Sequence, residues 1–188
     1  MASHSERPPG RRLVVGITGR IGSGKTSIGK HLESRHGFQY LRYSAVLADW
    51  LAQDAESKAH LQQVGWEVMA SGMQAELNRR LVSQIVSERD VAIDGLRHSL
   101  DYDTLRDSYS SSFYLLFVDS SPQLRFERLN AKGKYADFAS FEAADSHPVE
   151  QRIDSLRINA ALVIENDGSL EHLYTIVDET ISRFRKEG

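Results

Sequence analysis

Residues Gly19-Arg20-Ile21-Gly22-Ser23-Gly24-Lys25-Thr26 match the pattern G-x-x-x-x-G-K-[ST] without interruption, and they restrict the fold more than any other stretch of the chain. A short β-rich run, Leu13-Val14-Val15-Gly16-Ile17-Thr18, leads in, and Ile28 and Leu32 at helical spacing lead out. Strand, glycine-rich turn and helix form the setting in which the pattern has a physical meaning. Gly22 and Gly24 let the backbone curl, so that successive N–H groups can point inward at polyphosphate oxygens. The helix that follows adds the positive end of its dipole. Lys25 can then reach the β- and γ-phosphates, and the Thr26 hydroxyl can ligate Mg²⁺. Gly19, Ile21, Gly22, Ser23, Gly24, Lys25, Thr26 and Ser27 are therefore expected to clasp the phosphates of ATP, with Mg²⁺ as the accompanying ion.

Further along, strand-like and helix-like patterns alternate. Arg35-His36-Gly37 reads as a helix end, and Phe38 to Tyr43 as a second strand. Ser44 is placed to cap the next helix, which carries Leu47, Trp50 and Leu51 on one face before Gln53 to Lys58 breaks the pattern. Helical stretches follow around Leu61–Met69 and Met73–Val86. Val91 to Gly95 predicts a third strand, Thr104 to Arg106 a weak helix, and Phe113 to Asp119 a strand apolar enough to be buried on both faces. A helix opens at Ser120-Ser121-Pro122 and runs through Leu129. Asn130 to Pro148 reads as polar and irregular. Ala161 to Glu165 predicts a fifth strand, and Leu170 to Phe184 a long helix capped by Ser169. This alternation predicts an α/β fold, a parallel sheet with helices on both faces. Ligands of such a sheet bind at the carboxyl ends of the strands. Gly19–Thr26, Ser44, Asp94–Arg97, Asp119 and Asn166–Gly168 all lie there, so they should converge on one cleft.

Length and charge narrow the partners. The 188 residues suit one domain, 13–188, behind a loose polar tail at 1–12 whose Arg7, Arg11 and Arg12 are expected to be solvated. A net charge of −3 gives no overall basic footprint, so nucleic acid is not the favoured partner. No apolar run approaches the ~20 residues of a membrane span, and no secretory signal precedes the first strand. No membrane partner is expected, and the expected location is cytoplasmic. The absence of cysteine rules out disulfides and thiol chemistry. A homodimer stays open.

Beyond the loop, no N-K-x-D tetrapeptide of guanine-reading GTPases occurs, and the chain has no room for the extra domain of an oligomeric motor. Asp94-Gly95-Leu96-Arg97 follows the third strand instead. Asp94 either orients the waters of Mg²⁺ or caps the turn above Gly95. Arg97 either binds an acceptor phosphate through its planar guanidinium or is a surface arginine. Trp50, Trp66 and Tyr43 either stack on a base or pack the core. The run from Tyr135 to His147 is long enough to serve as a lid.

The Gly19–Thr26 loop, Tyr43-Ser44, Gln62-Gln63-Val64-Gly65, Asp94–Arg97, Leu124 to Leu129 and Val163 to Gly168 appear in an order and spacing that resembles the nucleoside-monophosphate kinase group. The likeness extends from Leu13 to Phe184. It is strongest toward the branch of phage-type deoxynucleoside monophosphate kinases and dephospho-coenzyme A kinases. The resemblance implies a three-layer P-loop NTPase fold with a five-stranded parallel sheet and a lid insertion near 130–148. It also implies Mg²⁺-dependent transfer of the γ-phosphate of ATP to a small phosphate-bearing acceptor. Lys25, Asp94 and Arg128 would then be catalytic, with Arg128 at the lid edge and Arg125 a solvated helix residue. Thr26 and Asp94 would hold the metal. Ser44, Arg97, Arg42 and Gln63 would face the acceptor, and Asn166 either borders the adenine or belongs to an ordinary turn. Lys132 and Lys134 stand where such kinases often carry lid arginines. Ala45 to Ala48 and Met69 replace an acid and arginines that the group usually has, which leaves a less cationic acceptor pocket. Two rival readings follow from that: a kinase acting on a hydroxyl of a metabolite or a modified DNA base, and a nucleotide-binding switch with little phosphotransfer.

Overall fold

In the computed structural model, residues 12–51, 58–86 and 88–187 are described. The helix break expected at Gln53 to Lys58 lies almost entirely outside them, as do residues 1–11 of the tail. Arg12 is inside, with its guanidinium 4.7 Å over the Tyr109 ring.

The chain builds β1 (Val14–Thr18), α1 (Lys25–His36), β2 (Gln39–Arg42), α2 (Tyr43–Leu51), α3 (Lys58–Ala70) and α4 (Gln74–Ser83). It continues with β3 (Val91–Leu96), α5 (Ser99–Tyr109), β4 (Phe113–Asp119), α6 (Pro122–Asn130), α7 (Phe138–Asp145), α8 (Pro148–Gln151), β5 (Leu162–Glu165) and α9 (Leu170–Glu187). A 3₁₀ segment, Arg152–Asn159, joins α8 to β5. The five strands form one parallel sheet in the order β2-β3-β1-β4-β5. The expected α/β architecture, helices on both faces of a five-stranded parallel sheet, is the one found.

Side chains alternate across β1, so one strand feeds two cores. Val14 joins Tyr43, Leu47, Leu77, Leu81, Leu105 and their neighbours under α2 to α5. Val15 and Ile17 join Ile28, Leu32, Leu173, Val177, Ile181 and Phe184 under α1 and α9. Burying β1 on both faces removes its five residues from water entirely and accounts for its unbroken apolar run. A third, smaller cluster joins Ile21 of the glycine-rich loop to Leu129 and Phe141.

Two local expectations are corrected, and the alternatives left open for Tyr43 and Trp50 are resolved toward the core. Ser44 does not cap α2; the helix already includes Tyr43, and Ser44 is its second residue. The stretch 130–148 is not irregular, because α7 sits inside it, capped by Asp137 whose side chain accepts from the Ser140 amide. Tyr43 is a core residue, 5 % exposed, and its hydroxyl donates to Asn78 Oδ1 at 2.7 Å. Trp50 packs against the same core, with Arg80 over its ring.

Candidate functional site

The loop between β1 and α1 is shaped by Gly24, whose φ of 113° is a left-handed value that side chains resist. A Cβ there would come within 2.4 Å of Asn166 Nδ2. That amide is needed where it is, because it donates to the Ser23 carbonyl at 2.7 Å. Gly24 also begins α1 without a side-chain cap, leaving the helix N-terminus bare for an anion. Ser23 Oγ, 1 % exposed as a residue, is one of two buried side-chain polar atoms among the described residues without a hydrogen-bond partner. Lys25 Nζ turns back along the loop and donates to the carbonyls of Gly19 (2.6 Å) and Arg20 (2.9 Å). Burial holds the Lys25 ammonium below the usual lysine range, while Asp94 and Glu150 partly restore it.

Across the loop stands Asp94, in the second half of β3 and 6 % exposed. Its Oδ2 accepts from Thr26 Oγ1 at 3.2 Å and from Tyr40 Oη at 2.8 Å. Burial and the Asp94 charge together push the Tyr40 phenol well above its ordinary range, so it remains a donor. Pairing shifts register after Ile17: Ile17 lies opposite Asp94 and Thr18 opposite Leu96, so Gly95 is skipped. The Thr18 hydroxyl donates to the Leu96 carbonyl at 2.7 Å and holds the bulge in place. An alcohol and a buried carboxylate in contact at the mouth of a glycine loop form a hard-oxygen donor pair, which fits Mg²⁺.

A second carboxylate, unforeseen in the sequence, belongs to Glu150 on α8. It is fully buried. Its Oε2 accepts from the Ile21 amide at 2.9 Å; its Oε1 accepts from Gln62 Nε2 at 3.1 Å and pairs with Arg97. Burial alone would raise this carboxyl, but the charges of Arg97 and Lys25 and the Gln62 bond outweigh it and hold it below the usual range. Arg97 is thus tied to the loop through Glu150, with its charge already matched. Its backbone is fixed from behind by Asp101 Oδ2, which accepts from the amides of Arg97 and His98 at 3.0 Å each, while Gln74 donates to Oδ1 at 2.6 Å. Burial pushes the Asp101 carboxyl up despite these bonds.

Of the two α6 arginines, Arg125 departs from its expected place. Arg125, expected in solvent, is 3 % exposed. It forks onto both oxygens of Asp145 at 2.5 and 2.9 Å and donates to the carbonyls of Ile21 (3.1 Å) and Ser120 (3.0 Å). Asp145 also takes Arg20 at 3.3 Å, so the end of α7 is bolted to the loop on two sides. Arg128, expected at the lid edge, donates to Ser120 Oγ (3.1 Å) and the Asn166 carbonyl (2.7 Å). Asn166 lies beside the loop through its bond to Ser23.

Three of the four expected acceptor contacts fall outside this cluster. Gln63 is exposed and donates to Glu67 along α3, whereas its neighbour Gln62 faces Glu150. Ser44 is exposed, and Arg42 ends β2 opposite Asp94 with its side chain exposed. Lys132 and Lys134 are likewise exposed. Asp119, expected at the cleft, pairs with Arg157. Trp66 lies under Arg152 and edge-on to His147. The Glu150 contacts left no sequence signal, because the partners lie 129 and 53 residues away.

A family model described as "AAA domain" matches residues 15–147. UPF0200 protein TK1334 of Thermococcus kodakarensis is 28% identical, the match spanning 91% of this chain and 100% of that protein. UPF0200 protein PAE1629 of Pyrobaculum aerophilum is 26% identical over 92% of this chain and 98% of its own. Among solved structures, a gluconokinase from Sinorhizobium meliloti superposes with a TM-score of 0.61 at 17% identity, covering 96% of each chain. The Mycobacterium tuberculosis APS kinase CysC, solved with AMPPNP and APS, superposes with a TM-score of 0.61 at 21% identity, covering 93% of this chain and 99% of its own. A shikimate kinase from Acinetobacter baumannii, in complex with shikimate, gives 0.61 at 16% identity, covering 92% and 94%. These likenesses describe the fold. With the family model covering more than half of its length, the chain belongs to the AAA domain family, as a P-loop NTPase domain with the fold of small-molecule kinases.

Proposed function

We propose that this protein is an ATP- and Mg²⁺-dependent phosphotransferase that moves the γ-phosphate to a nucleotide or nucleotide-like acceptor, such as a deoxynucleoside monophosphate or a dephospho-coenzyme A-like molecule. The observation that carries the reading is the contact of Thr26 with Asp94, with Lys25 near enough to feel the charges of Asp94, Glu150 and Arg97. No helix among the described residues is long and apolar enough to cross a membrane.

Phosphoryl transfer asks for positioning and charge neutralisation more than covalent help. The acceptor oxygen forms a bond to the γ-phosphorus while the bond to the β–γ bridging oxygen breaks, and ADP leaves. Thr26 and Asp94 would hold Mg²⁺, which when bound neutralises charge on the β- and γ-phosphates. Lys25, low in its range and resting on the Gly19 and Arg20 carbonyls, exchanges those weak partners for phosphate oxygens. Tyr40 fixes the Asp94 carboxylate. Arg97 orients the anionic group of the acceptor, and Asn166 with Arg128 braces the loop from the β5 side. Ser44, Arg42 and Gln63 have no place in this scheme; Gln62 takes the role assigned to Gln63.

One observation favours a second acceptor class. Glu150 already neutralises Arg97, and that weakens the case for a dianionic phosphate and strengthens it for a hydroxyl. Incubating the protein with ATP, Mg²⁺ and a panel of nucleoside monophosphates, dephospho-coenzyme A, polyhydroxy metabolites and modified oligonucleotides separates the two. Phosphorylated nucleotide that disappears in Lys25→Ala supports the leading reading. Phosphorylation of a metabolite or oligonucleotide hydroxyl replaces it with the second. ATP binding without any product points to a nucleotide switch.

A further inference from the structure

At the opposite end of α1 from the phosphate loop, three side chains converge that phosphotransfer does not use. His31 Nε2 and His36 Nε2 point at the same atom, Asp178 Oδ1 on α9, at 2.6 and 2.7 Å. All three potential donor atoms lie within 4.8 Å of one another. The imidazoles are largely shielded, at 12 % and 15 % side-chain exposure, and the carboxylate at 39 % opens to solvent. Tyr174 stacks on the His31 ring at 4.0 Å between centroids and 7° between planes, and Phe38 meets His36 edge-on at 6.4 Å. Both rings are therefore held with their Nε2 atoms aimed inward. The α1 carboxyl end, closed by Gly37 just after His36, adds the negative pole of the helix dipole beside them.

We propose that His31, His36 and Asp178 form a binding site for a late first-row divalent cation of the Zn²⁺ class, three protein ligands with a fourth position open to solvent. Two imidazole nitrogens and one carboxylate oxygen suit Zn²⁺, Co²⁺ or Ni²⁺ and not Mg²⁺ or Ca²⁺, which prefer all-oxygen shells. Tetrahedral bonds of about 2.0–2.1 Å put ligand atoms roughly 3.3 Å apart. To admit the ion, the two imidazole–carboxylate distances open by about 0.6–0.7 Å, and the two Nε2 atoms, within 4.8 Å of one another, close by at most about 1.5 Å. Binding displaces a proton from each Nε2 that donates to Asp178 in the metal-free form. The ion would then pin the second half of α1 to α9, its ligands His31 and His36 about 8 and 15 Å along the helix from Thr26 by its rise per residue. It is chemically separate from the Mg²⁺ partners of the loop.

The test uses the whole chain, dialysed against a chelator and then titrated with Zn²⁺ alone. One equivalent bound in calorimetry, a Tm raised by about 5–10 °C at a hundredfold excess over Kd, and a visible Co²⁺ spectrum of tetrahedral intensity are the expected results. His36→Gln and Asp178→Asn, each checked for native circular dichroism, should weaken binding at least tenfold and abolish the Co²⁺ signal. Zn²⁺ uptake unchanged in both variants would place the ion elsewhere, His4 of the tail included, and overturn the proposal. Failure of the wild-type chain to bind Zn²⁺ below about 100 μM, where the free energy is already under ~6 kcal/mol, would also overturn it. Neither result depends on the acceptor or on phosphotransfer.

Discussion

The two sides of the candidate site are held by different physics. On the loop side, the glycine loop takes its shape mainly from backbone: a left-handed Gly24, an uncapped helix start, and a lysine lying on the loop's own carbonyls. On the side of β3, α7 and α8, charged side chains from distant segments neutralise one another: Glu150 with Arg97, and Asp145 with Arg125 and Arg20. The first kind of site can lose a functional group and stay folded. The second kind puts folding and function on the same atoms, because a buried charge without its partner is costly.

The contrast makes Asp145→Ala the most damaging single change. It strands the Arg125 guanidinium in a buried setting and should remove about 3–5 kcal/mol of stability in urea unfolding. A loss under ~1 kcal/mol would mean that α7 is not held by this pair. Lys25→Ala should do the reverse, cutting phosphotransfer by about 10²–10³-fold while the unfolding midpoint stays near wild type. Asn166→Ala tests the side-chain brace at Ser23 on the loop side. It leaves the Ser23 carbonyl unsatisfied and should cost about 1–3 kcal/mol, with a weaker affinity for ATP by calorimetry.

Acid should separate the halves as well. The Glu150 carboxyl is held below its ordinary value, so the stability it contributes is complete above the unfolded pKa near 4.3 and drains as pH falls through the lower folded value. Asp178, also lowered by its histidines, follows the same course, whereas Asp101, raised by burial, works in the opposite sense. Unfolding midpoints between pH 7 and pH 3 should therefore fall less steeply in Glu150→Gln than in wild type; an identical slope would remove Glu150 from this account. The smallest contrast lies within one dipeptide. Gln62→Ala should disturb acceptor KM and stability, while Gln63→Ala should change stability by less than ~0.5 kcal/mol.

These differences track how much of each region could be read in the sequence. The loop, the strand–helix alternation and Asp94 are local signals: glycine spacing, apolar period and an acid at a strand end. They foretold the sheet and the place of the Thr26–Asp94 contact. Glu150 could not be found that way, because its partners Ile21 and Arg97 are remote in the chain and α8 is only four residues long. Choosing between Gln62 and Gln63 required the rotation of α3, which their adjacency cannot supply. Arg125 and Arg128 lie three apart and share a helical face, so spacing alone gave no reason to bury the first. Helix α7 was missed because eight residues are too few to show a helical period, and its two buried anchors, Phe141 and Asp145, are of opposite polarity.

Gly24 and Asn166 carry one more implication, for how such a chain can drift through mutation. A methyl group at position 24 collides with the amide at 166, and a shorter side chain at 166 abandons the carbonyl of Ser23. Neither site can accept a change by itself without harm. A lineage leaving this arrangement has to alter both together, and even then the left-handed turn at 24 still rejects nearly every replacement.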